Sequence, residues 1–225
     1  MVAGPGNYEG SNCHIKLIMR EVICKKCRRL GQKLFLKGER CFTPKCAMVK
    51  KPYPPGIHGK KKKRRAISEY GAQLTEKQKV CQIYKIRERQ FKRYFQEASR
   101  KKGVIGDNIL KKLELRLDNI VFRLGFAESR QKARQLVSHG HILVNDKKVS
   151  IPSFQVKLSD VIKIKKSSLD LVLFKDLKTR LKKYKPLDWF SLDKDKLEGK
   201  IISLPDQESV KIPADLQMIV EYYSR

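Results

Sequence analysis

The sequence predicts an α+β protein: a basic, cysteine-rich N-terminal arm, then a helical domain, then a small mixed α/β domain. Four cysteines stand among cations in residues 24–46. Apolar residues recur at helical spacing in residues 75–98 and again in 110–124, as expected for amphipathic helices. After Gly140 the pattern alternates with a period of two, which indicates short strands.

The charge is the most unusual property of this chain of 225 residues. Lys and Arg number 52 against 23 Asp and Glu, which gives a net charge of +29 and an isoelectric point near 10.0. Such an excess repels itself unless a polyanion neutralises it, so the composition indicates a partner rich in phosphates. No stretch approaches the ~20 apolar residues of a spanning helix. Residues 1–21 lack a signal-peptide pattern and are predicted to be a disordered tail.

The arm carries most of its charge in two places. Eight cations lie between the first and last cysteine: Lys25, Lys26, Arg28, Arg29, Lys33, Lys37, Arg40 and Lys45. The segment "VKKPYPPGIHGKKKKRR" follows, and its prolines and glycines predict an extended arm that is ordered by its ligand. Its terminal run is expected to contact phosphates: Lys60, Lys61, Lys62, Lys63, Arg64 and Arg65.

The first helical pattern has a core face and a cationic face. Thr75 and Gln78 predict a capping box at its start, and the spacing leaves open one helix or two with a break near Ile86. The aromatic stripe is interpreted as core rather than as a platform for bases. Exposed cations are predicted at Lys77, Lys79, Lys85, Arg89, Lys92 and Arg93.

A helix-turn-helix followed by strands is predicted downstream. Residues 101–106 are interpreted as a linker, and Gly125 is placed to end a helix over 110–124. Ser129 is predicted to cap a short helix that carries Arg130 and Arg134 on its outer edge. The remaining predictions are strands at 141–145, 147–151 and 200–204, two alternating runs around Ser159 and Asp160, a helix over 170–181 and a closing helix after Pro213.

The cysteine spacing predicts a structural metal site. Cys24, Cys27, Cys41 and Cys46 form the pattern C-x2-C-x13-C-x4-C, which delivers two thiolates from each side to one tetrahedral Zn²⁺. The surrounding cations are expected to lower the thiol pKa values. An iron–sulfur cluster uses the same ligands and stays open, as does a disulfide or redox pair, although no secretion pattern favours a disulfide. Cys81 is interpreted as a packing residue.

Several stretches together resemble one family. "KGERCFTPKCAMVKKPYPPGIHG", "EKQKVCQIYKIRERQF", "LELRLDNIVFRLGFAESRQKARQLVSHGHILVN" and the final "EYYSR" resemble the bacterial-type small-subunit ribosomal protein S4 family, in its zinc-binding form. The resemblance covers residues 22–225 in order. It implies that the four cysteines bind one zinc ion and that the α/β domain, with its RNA-binding module, is inserted in the helical domain. The implied ranges are 22–66 for the zinc-binding arm, 67–105 completed by 206–225 for the helical domain, 106–205 for the α/β domain and about 115–178 for the module.

The resemblance also implies a function without catalysis. Members of the family are structural proteins of the small subunit that bind the 5′ domain of its rRNA, nucleate assembly of the body and contribute to translational accuracy. The expected partners are this rRNA, the neighbouring small-subunit proteins five and twelve, and mRNA near the entry channel, without a membrane or a small-molecule substrate. The expected location is the ribosome in a bacterial cytoplasm rather than in an organelle.

The predicted RNA contacts are phosphate and shape contacts, because A-form RNA hides its base edges. They comprise the run from Lys60 to Arg65 and, further on, Arg87, Arg89, Lys92, Arg93, Arg116, Ser129, Arg130, Lys132, Arg134, Gln135, His139, Gly140, His141, Asn145 and Lys147. The two histidines have no evident carboxylate to orient them, so RNA contact or plain surface is favoured over catalysis. Two rival classes remain: an RNA-modifying enzyme such as a pseudouridine synthase, which needs a separate catalytic domain, and a zinc-dependent DNA-binding protein, which needs a recognition helix after the cysteines.

Overall fold

A computed structural model describes residues 23–61, 66–182, 184–206, 209–210 and 212–225. The predicted tail at 1–21 lies outside these residues, as do Lys62, Lys63, Arg64 and Arg65 of the basic run. No helix within the described ranges is long and apolar enough to cross a membrane.

Short helices and one small antiparallel sheet make up the fold, so the predicted mixed helical and sheet class is confirmed. The helices are α1 at residues 23–30, α2 at Ala47–Lys50, α3 at Glu69–Ile83, α4 at Glu88–Ser99, α5 at Ile105–Glu114, α6 at Leu117–Arg123, α7 at Arg130–Ser138, α8 at Leu177–Lys182 and α9 at Leu216–Ser224. The strands are β1 at Ile142–Val144, β2 at Lys147–Lys148, β3 at Val161–Ile164, β4 at Phe190–Asp193 and β5 at Glu198–Ile201. They lie in the order β2-β1-β3-β5-β4, with every neighbouring pair antiparallel.

The apolar residues form two separate cores. One contains α6, α7 and the sheet, with residues such as Val121, Leu136 and Ile162 fully or almost fully buried. The other contains α3, α4, α5 and α9, and Cys27 and Leu34 of the arm pack into it. The C-terminal helix α9 therefore packs with helices that precede the first core in sequence, mainly with α3. The numerical domain boundaries stay predictions.

A buried polar cluster, called here the junction network, joins the two cores: Tyr84, Glu114, Asn119, Arg123 and Arg130. The Glu114 side chain is completely buried and accepts hydrogen bonds from Arg123 Nη2 at 2.9 Å, Arg123 Nε at 3.0 Å, Asn119 Nδ2 at 2.8 Å and the Tyr84 hydroxyl. Burial acts to raise the pKa of Glu114, but the charges of Arg123 and Arg130 together with the hydrogen bonds from Arg123 and Tyr84 outweigh it and hold this pKa below its ordinary value. Tyr84 belongs to the helical core, whereas Asn119 and Arg123 lie on α6 of the other core.

The first helix of the helical core begins earlier than the sequence predicts. Ser68 caps α3, since its hydroxyl accepts a hydrogen bond from the Gly71 N–H at 3.2 Å. Thr75 lies inside the helix and its hydroxyl donates to the Gly71 carbonyl at 2.7 Å, so the capping box was a wrong prediction. Helix α3 ends at Ile83 and α4 begins at Glu88. Of the two alternatives that the spacing leaves open, the structure therefore has two helices with a break near Ile86.

The helix predicted over residues 110–124 is two helices. Tertiary backbone pairing interrupts it, because Leu117 N–H donates to the Phe154 carbonyl at 2.9 Å and Val156 N–H donates to the Leu115 carbonyl at 2.9 Å. The strand predicted before Ser159 is accordingly reduced to one bridge between Arg116 and Gln155. A second difference is that α5 begins at Ile105, inside the predicted linker.

The predicted helix end and hairpin turn agree with the structure, whereas the helix predicted over residues 170–181 is a 3₁₀ turn at Val172–Phe174 followed by α8, and the strand predicted at 147–151 is only Lys147–Lys148. Gly125, at φ +77°, follows the end of α6, and Asn145 and Asp146 turn between β1 and β2 with φ values of +49° and +63°. Such left-handed pairs are typical of tight hairpin turns. Strand β4, which pairs along its whole length with β5, was not predicted from the sequence.

Candidate nucleic-acid interface

The cysteine-rich arm and the start of α7 enclose a polar cleft of about 380 Å³. Three cations line it: Lys37 and Arg40 from the arm and Lys132 from α7. The other lining residues, which include no acid, are Ile23, Leu36, Ser129, Gln131 and Gln135. The cleft thus combines two of the eight cations between the cysteines with three predicted RNA contacts, namely Ser129, Lys132 and Gln135.

Gly38 and Ser129 determine the geometry of this cleft. Gly38 is buried at φ +64°, and a Cβ atom there would lie 2.4 Å from the Glu128 carbonyl oxygen. This close approach brings the arm against the loop before α7. Ser129 caps that helix by accepting a hydrogen bond from the Lys132 N–H at 3.3 Å, as predicted.

An acid beside the cleft, Glu128, is paired with two cations. Glu128 Oε1 lies 3.1 Å from Lys132 Nζ and 2.9 Å from Arg180 Nη1. Because two cations share one carboxylate, the local charge stays positive. An anion that enters the cleft meets Lys37 and Arg40, and no acid is among the residues that line its walls.

The segment after the cysteines is held against α1 rather than extended, which corrects the prediction for its described part. Arg28 Nε donates to the carbonyls of Lys51 at 3.0 Å and Tyr53 at 2.9 Å, and its guanidinium lies 4.9 Å from the Tyr53 ring centroid. Arg28 is therefore an internal clamp. Lys60 and Lys61 follow this clamp and are exposed.

The predicted contacts on α4 form a separate exposed surface. Arg87, Arg89, Lys92 and Arg93 are all exposed, and none of them lines the cleft. Arg93 is paired along the helix, with its Nε 2.9 Å from a Glu97 carboxylate oxygen. In the same helical unit, Lys77 is buried rather than exposed, because it pairs with Glu88 at 3.0 Å and packs on the Tyr222 ring.

Arg116 is not available to RNA, which corrects the prediction for this residue. Its side chain is 2% exposed, and both ends of its guanidinium are used inside the protein. Nη2 and Nε donate to the two Asp118 carboxylate oxygens at 2.7 and 3.0 Å, and Nη1 donates to the Tyr94 hydroxyl at 2.9 Å.

Arg130 also points inward rather than along the outer edge of α7. Its guanidinium carbon lies 4.8 Å from the Tyr84 ring centroid and 4.6 Å from the Phe122 ring centroid, so the group is close to both rings. Its Nε donates to Asn119 Oδ1 at 2.7 Å. Burial lowers the pKa of Arg130. Arg130 thus serves the junction network, and the prediction of an outer phosphate contact is corrected.

The remaining predicted contacts lie along α7 and the first hairpin. Arg134 is partly exposed, 3.6 Å from Asp118, and His139 and Lys147 are exposed. His141 Nδ1 lies 2.9 Å from the Ser168 hydroxyl, and burial together with the nearby His139 lowers its pKa.

Gly140 and Asn145 have structural tasks at this end of the module. Gly140 is buried at φ +73° against the Lys148 side chain. The side chain of Asn145 bonds Asp160 at 2.8 Å and accepts from the Val161 N–H at 2.9 Å, which joins the hairpin turn to the start of β3.

The four predicted metal ligands surround one small cavity of about 20 Å³, which Ile23, Leu36, Lys37, Ala47 and Met48 complete. Cys24, Cys27, Cys41 and Cys46 are all free thiols. Among the described residues, no group of three or more His, Cys, Asp or Glu side chains is arranged closely enough to hold a metal ion. The four thiols share one cavity, and the metal site itself stays a prediction.

Thiol pKa values differ from the expectation. Burial raises the pKa of Cys27 and of Cys41, and at Cys41 this effect outweighs the lowering by the backbone hydrogen bond of Lys37 and by the Lys37 charge. Cys81 is buried in the helical core, as predicted, and burial raises its pKa to about 12.

Three residues have roles here that were not predicted from the sequence: Gln131, Gly38 and the clamp residue Arg28. Their roles depend on close approaches between segments that are distant in sequence. One sequence signal was the pattern Lys37-Gly38-Glu39-Arg40, in which a glycine and a single acid separate two cations.

Comparison with known proteins agrees with this architecture. Residues 19–114 match the family described as "Ribosomal protein S4/S9 N-terminal domain", and residues 115–162 match the "S4 domain". The chain is thus a protein of the ribosomal class that combines these two domains.

Curated relatives identify the family within that class. The small ribosomal subunit protein uS4 of Thermus thermophilus is 51% identical over 203 residues, which cover 90% of this chain and 97% of the relative. The uS4 proteins of Syntrophomonas wolfei and Caldicellulosiruptor saccharolyticus are 47% and 51% identical, again over 90% of this chain and 97% and 96% of the relatives. The chain belongs to the uS4 family of small ribosomal subunit proteins.

Proposed function

We propose that this chain is a structural constituent of the small ribosomal subunit and that the cleft between its arm and α7 holds the phosphate backbone of the subunit's rRNA. As a uS4 protein it is a ribosomal component that binds rRNA. Its relatives are structural ribosomal proteins rather than enzymes, which favours this function over an RNA-modifying enzyme and over a DNA-binding regulator. Its place is the cytoplasmic ribosome of a bacterium.

The observation that carries the proposal for the cleft is the convergence of Lys37, Arg40 and Lys132 on one polar space. Cations from distant parts of the chain meet there, although each repels the others. Phosphate groups neutralise such a cluster and release condensed counterions when they bind. Hydroxyl and amide groups of Ser129, Gln131 and Gln135 suit phosphate oxygens and ribose 2′-hydroxyls, which are what A-form RNA presents.

The finer assignment is also a proposal. The target is the 5′ domain of the rRNA, where binding at a multi-helix junction nucleates the subunit body and later supports translational accuracy. Proteins five and twelve and mRNA near the entry channel are the proposed neighbours. The basis for this assignment is the family membership together with the strongly cationic arm.

Removal of the cleft cations tests this function. We expect the double variant Arg40→Ala/Lys132→Ala to bind rRNA of the 5′ domain more weakly and to lower the salt slope of log K by about 1.5. A matched control, Lys196→Ala/Lys200→Ala, removes two exposed cations at β4 and β5 that do not line the cleft. Filter binding at several salt concentrations measures both slopes. Equal losses in the two variants would contradict the cleft assignment, and a chemical footprint outside the 5′ domain would contradict the target.

We further propose that Cys24, Cys27, Cys41 and Cys46 hold one structural Zn²⁺. Four thiols around one cavity support it, since four sulfur ligands leave no open position for a substrate. The bound ion would cross-link α1 to the segment that carries Lys37 and Arg40, where the apolar core is too small to do so alone.

Metal analysis of Cys41→Ser tests the zinc site. The parent protein should contain one zinc per chain and no iron, whereas iron with acid-labile sulfide would establish the alternative cluster. The variant should lose the metal and disorder residues 24–46, while NMR signals of the S4 domain persist. An arm that stays folded without metal would contradict the proposal.

A further inference from the structure

Two exposed aromatic rings stand beside the cleft. Phe35 and Phe42 are stacked, with ring centroids 4.9 Å apart and an angle of 27° between the ring planes. Phe35 is 45% exposed and Phe42 is 76% exposed. The pair therefore presents an aromatic surface that the described part of the protein does not cover.

The backbone at Phe35 separates this ring from the neighbouring core residues. Leu34 is buried in the helical core and Leu36 is partly buried, whereas Phe35 adopts a left-handed φ of +50°. That conformation is unfavourable for a bulky side chain. A residue with a small or polar side chain would satisfy the turn with less strain and without exposed apolar surface, so the turn alone does not account for phenylalanine.

The charge around the pair indicates the kind of molecule that covers it. Residues 33–45 carry Lys33, Lys37, Arg40 and Lys45 but only one acid, Glu39. A partner must therefore combine negative charge with a flat apolar face. Nucleotides have both, because a phosphate accompanies every base and every base has a π-face.

The aromatic pair and the cleft are adjacent. Phe35 lines a small cavity that shares Ile23, Leu36 and Gln131 with the cleft. Lys37 follows Phe35 by two residues, and Arg40 precedes Phe42 by two. A strand with its phosphates in the cleft can thus place a neighbouring base on the rings.

We propose that Phe35 and Phe42 form a stacking platform for one unpaired nucleobase of the rRNA, with the exposed face of Phe42 in contact with the base. This inference rests on the proposed function, since the same RNA strand occupies the cleft. Phe35 supports the opposite face of Phe42. The site selects an unstacked nucleotide in a bulge, loop or junction, because a base in a continuous helix has no free face.

The variant Phe42→Leu tests the platform in the full chain with a transcript of the rRNA 5′ domain. Leucine keeps an apolar side chain but removes the π-face, and Phe42→Tyr is the matched control that retains it. We expect Phe42→Leu to lose about ten-fold in affinity with an unchanged salt slope, and Phe42→Tyr to bind like the parent. Base-specific chemical probing of the complexes should show one base that is protected by the parent and Phe42→Tyr and reactive with Phe42→Leu.

Three other results of this experiment would overturn the platform. If the parent does not bind the transcript, both the proposed function and the platform fail. If the parent binds and Phe42→Leu matches it in affinity and base protection, the platform alone is overturned. Normal RNA binding by Phe42→Leu with weaker retention of a neighbouring protein in reconstituted subunits would assign the rings to a protein contact and also overturn the platform.

Discussion

Arg130 and Arg134, one turn apart on α7, allow a test of the assignment of buried and exposed cations. The structure places Arg130 in the junction network and leaves Arg134 partly exposed to a ligand. Replacement of Arg130 by Met keeps most of its volume but removes the charge that contacts the Tyr84 and Phe122 rings and the hydrogen bond to Asn119. Desolvated cation–π contacts contribute about 1–2 kcal/mol, and a charge-assisted hydrogen bond about 1.5 kcal/mol or more. The desolvation cost of the buried charge, which lowers the pKa of Arg130, opposes these contributions, so we expect the free energy of unfolding to fall by about 1–2 kcal/mol.

Arg134→Ala is the matched control. Arg134 is 41% exposed, and its partner Asp118 is already bound through both carboxylate oxygens by Arg116. The expected loss of stability is below about 1 kcal/mol, as for other surface ion pairs. If Arg134 contacts a phosphate, its removal should instead lower the salt slope of RNA binding by just under one unit.

Urea unfolding followed by circular dichroism measures the first quantity, and filter binding across a salt series measures the second. We expect Arg130→Met to lower stability without changing the salt slope, and Arg134→Ala to do the reverse. A variant Arg130→Met with parental stability and a slope reduced by about one would place Arg130 on the RNA and refute the argument from burial.

Two further predictions concern backbone approach and acid stability. Gly31 and Gly38 both have positive φ, but of the two only Gly38 is so placed that an added Cβ would meet a carbonyl oxygen, that of Glu128, at 2.4 Å. Gly38→Ala should therefore weaken rRNA binding in filter assays. The control Gly31→Ala should cost only about 1 kcal/mol of stability. Glu114→Gln should destabilise the protein by about 3 kcal/mol at neutral pH, because it breaks a buried pair with Arg123. The folded-state pKa of Glu114 is depressed, so its contribution to the free energy of unfolding is present above its ordinary pKa of 4.5 and is lost as pH falls through the lower folded value. The urea midpoint of the variant should therefore depend less on pH in that acidic range than the midpoint of the parent.

Local signals in the sequence were sufficient for several elements. The Ser129 cap, the end of a helix at Gly125 and the turn at Asn145 and Asp146 follow from short-range chemistry, and all are confirmed. The aromatic stripe of α4 was correctly assigned to the core, since Phe91 and Tyr94 are buried. In each case, the residues that determine the structure lie within a few positions of one another.

Long-range contacts explain where the predictions were wrong. The helix over 110–124 breaks because the distant residues Phe154 and Val156 exchange backbone hydrogen bonds with it. Arg116 and Arg130 have the same pattern in sequence as solvent-facing cations, but each meets a partner from another helix. For the cysteines, spacing predicted a shared site and the side chains do surround one cavity, while the metal itself stays a prediction.

The junction network has a mechanical consequence for a protein that binds a folded RNA. An apolar contact between two cores permits small rotations at little cost in free energy. The hydrogen bonds among Glu114, Arg123 and Asn119 are directional and weaken steeply when their angles change. The angle between the helical unit and the sheet-containing unit is thereby narrowly defined before any ligand arrives. We therefore expect this protein to favour RNA whose helices already meet at a compatible angle.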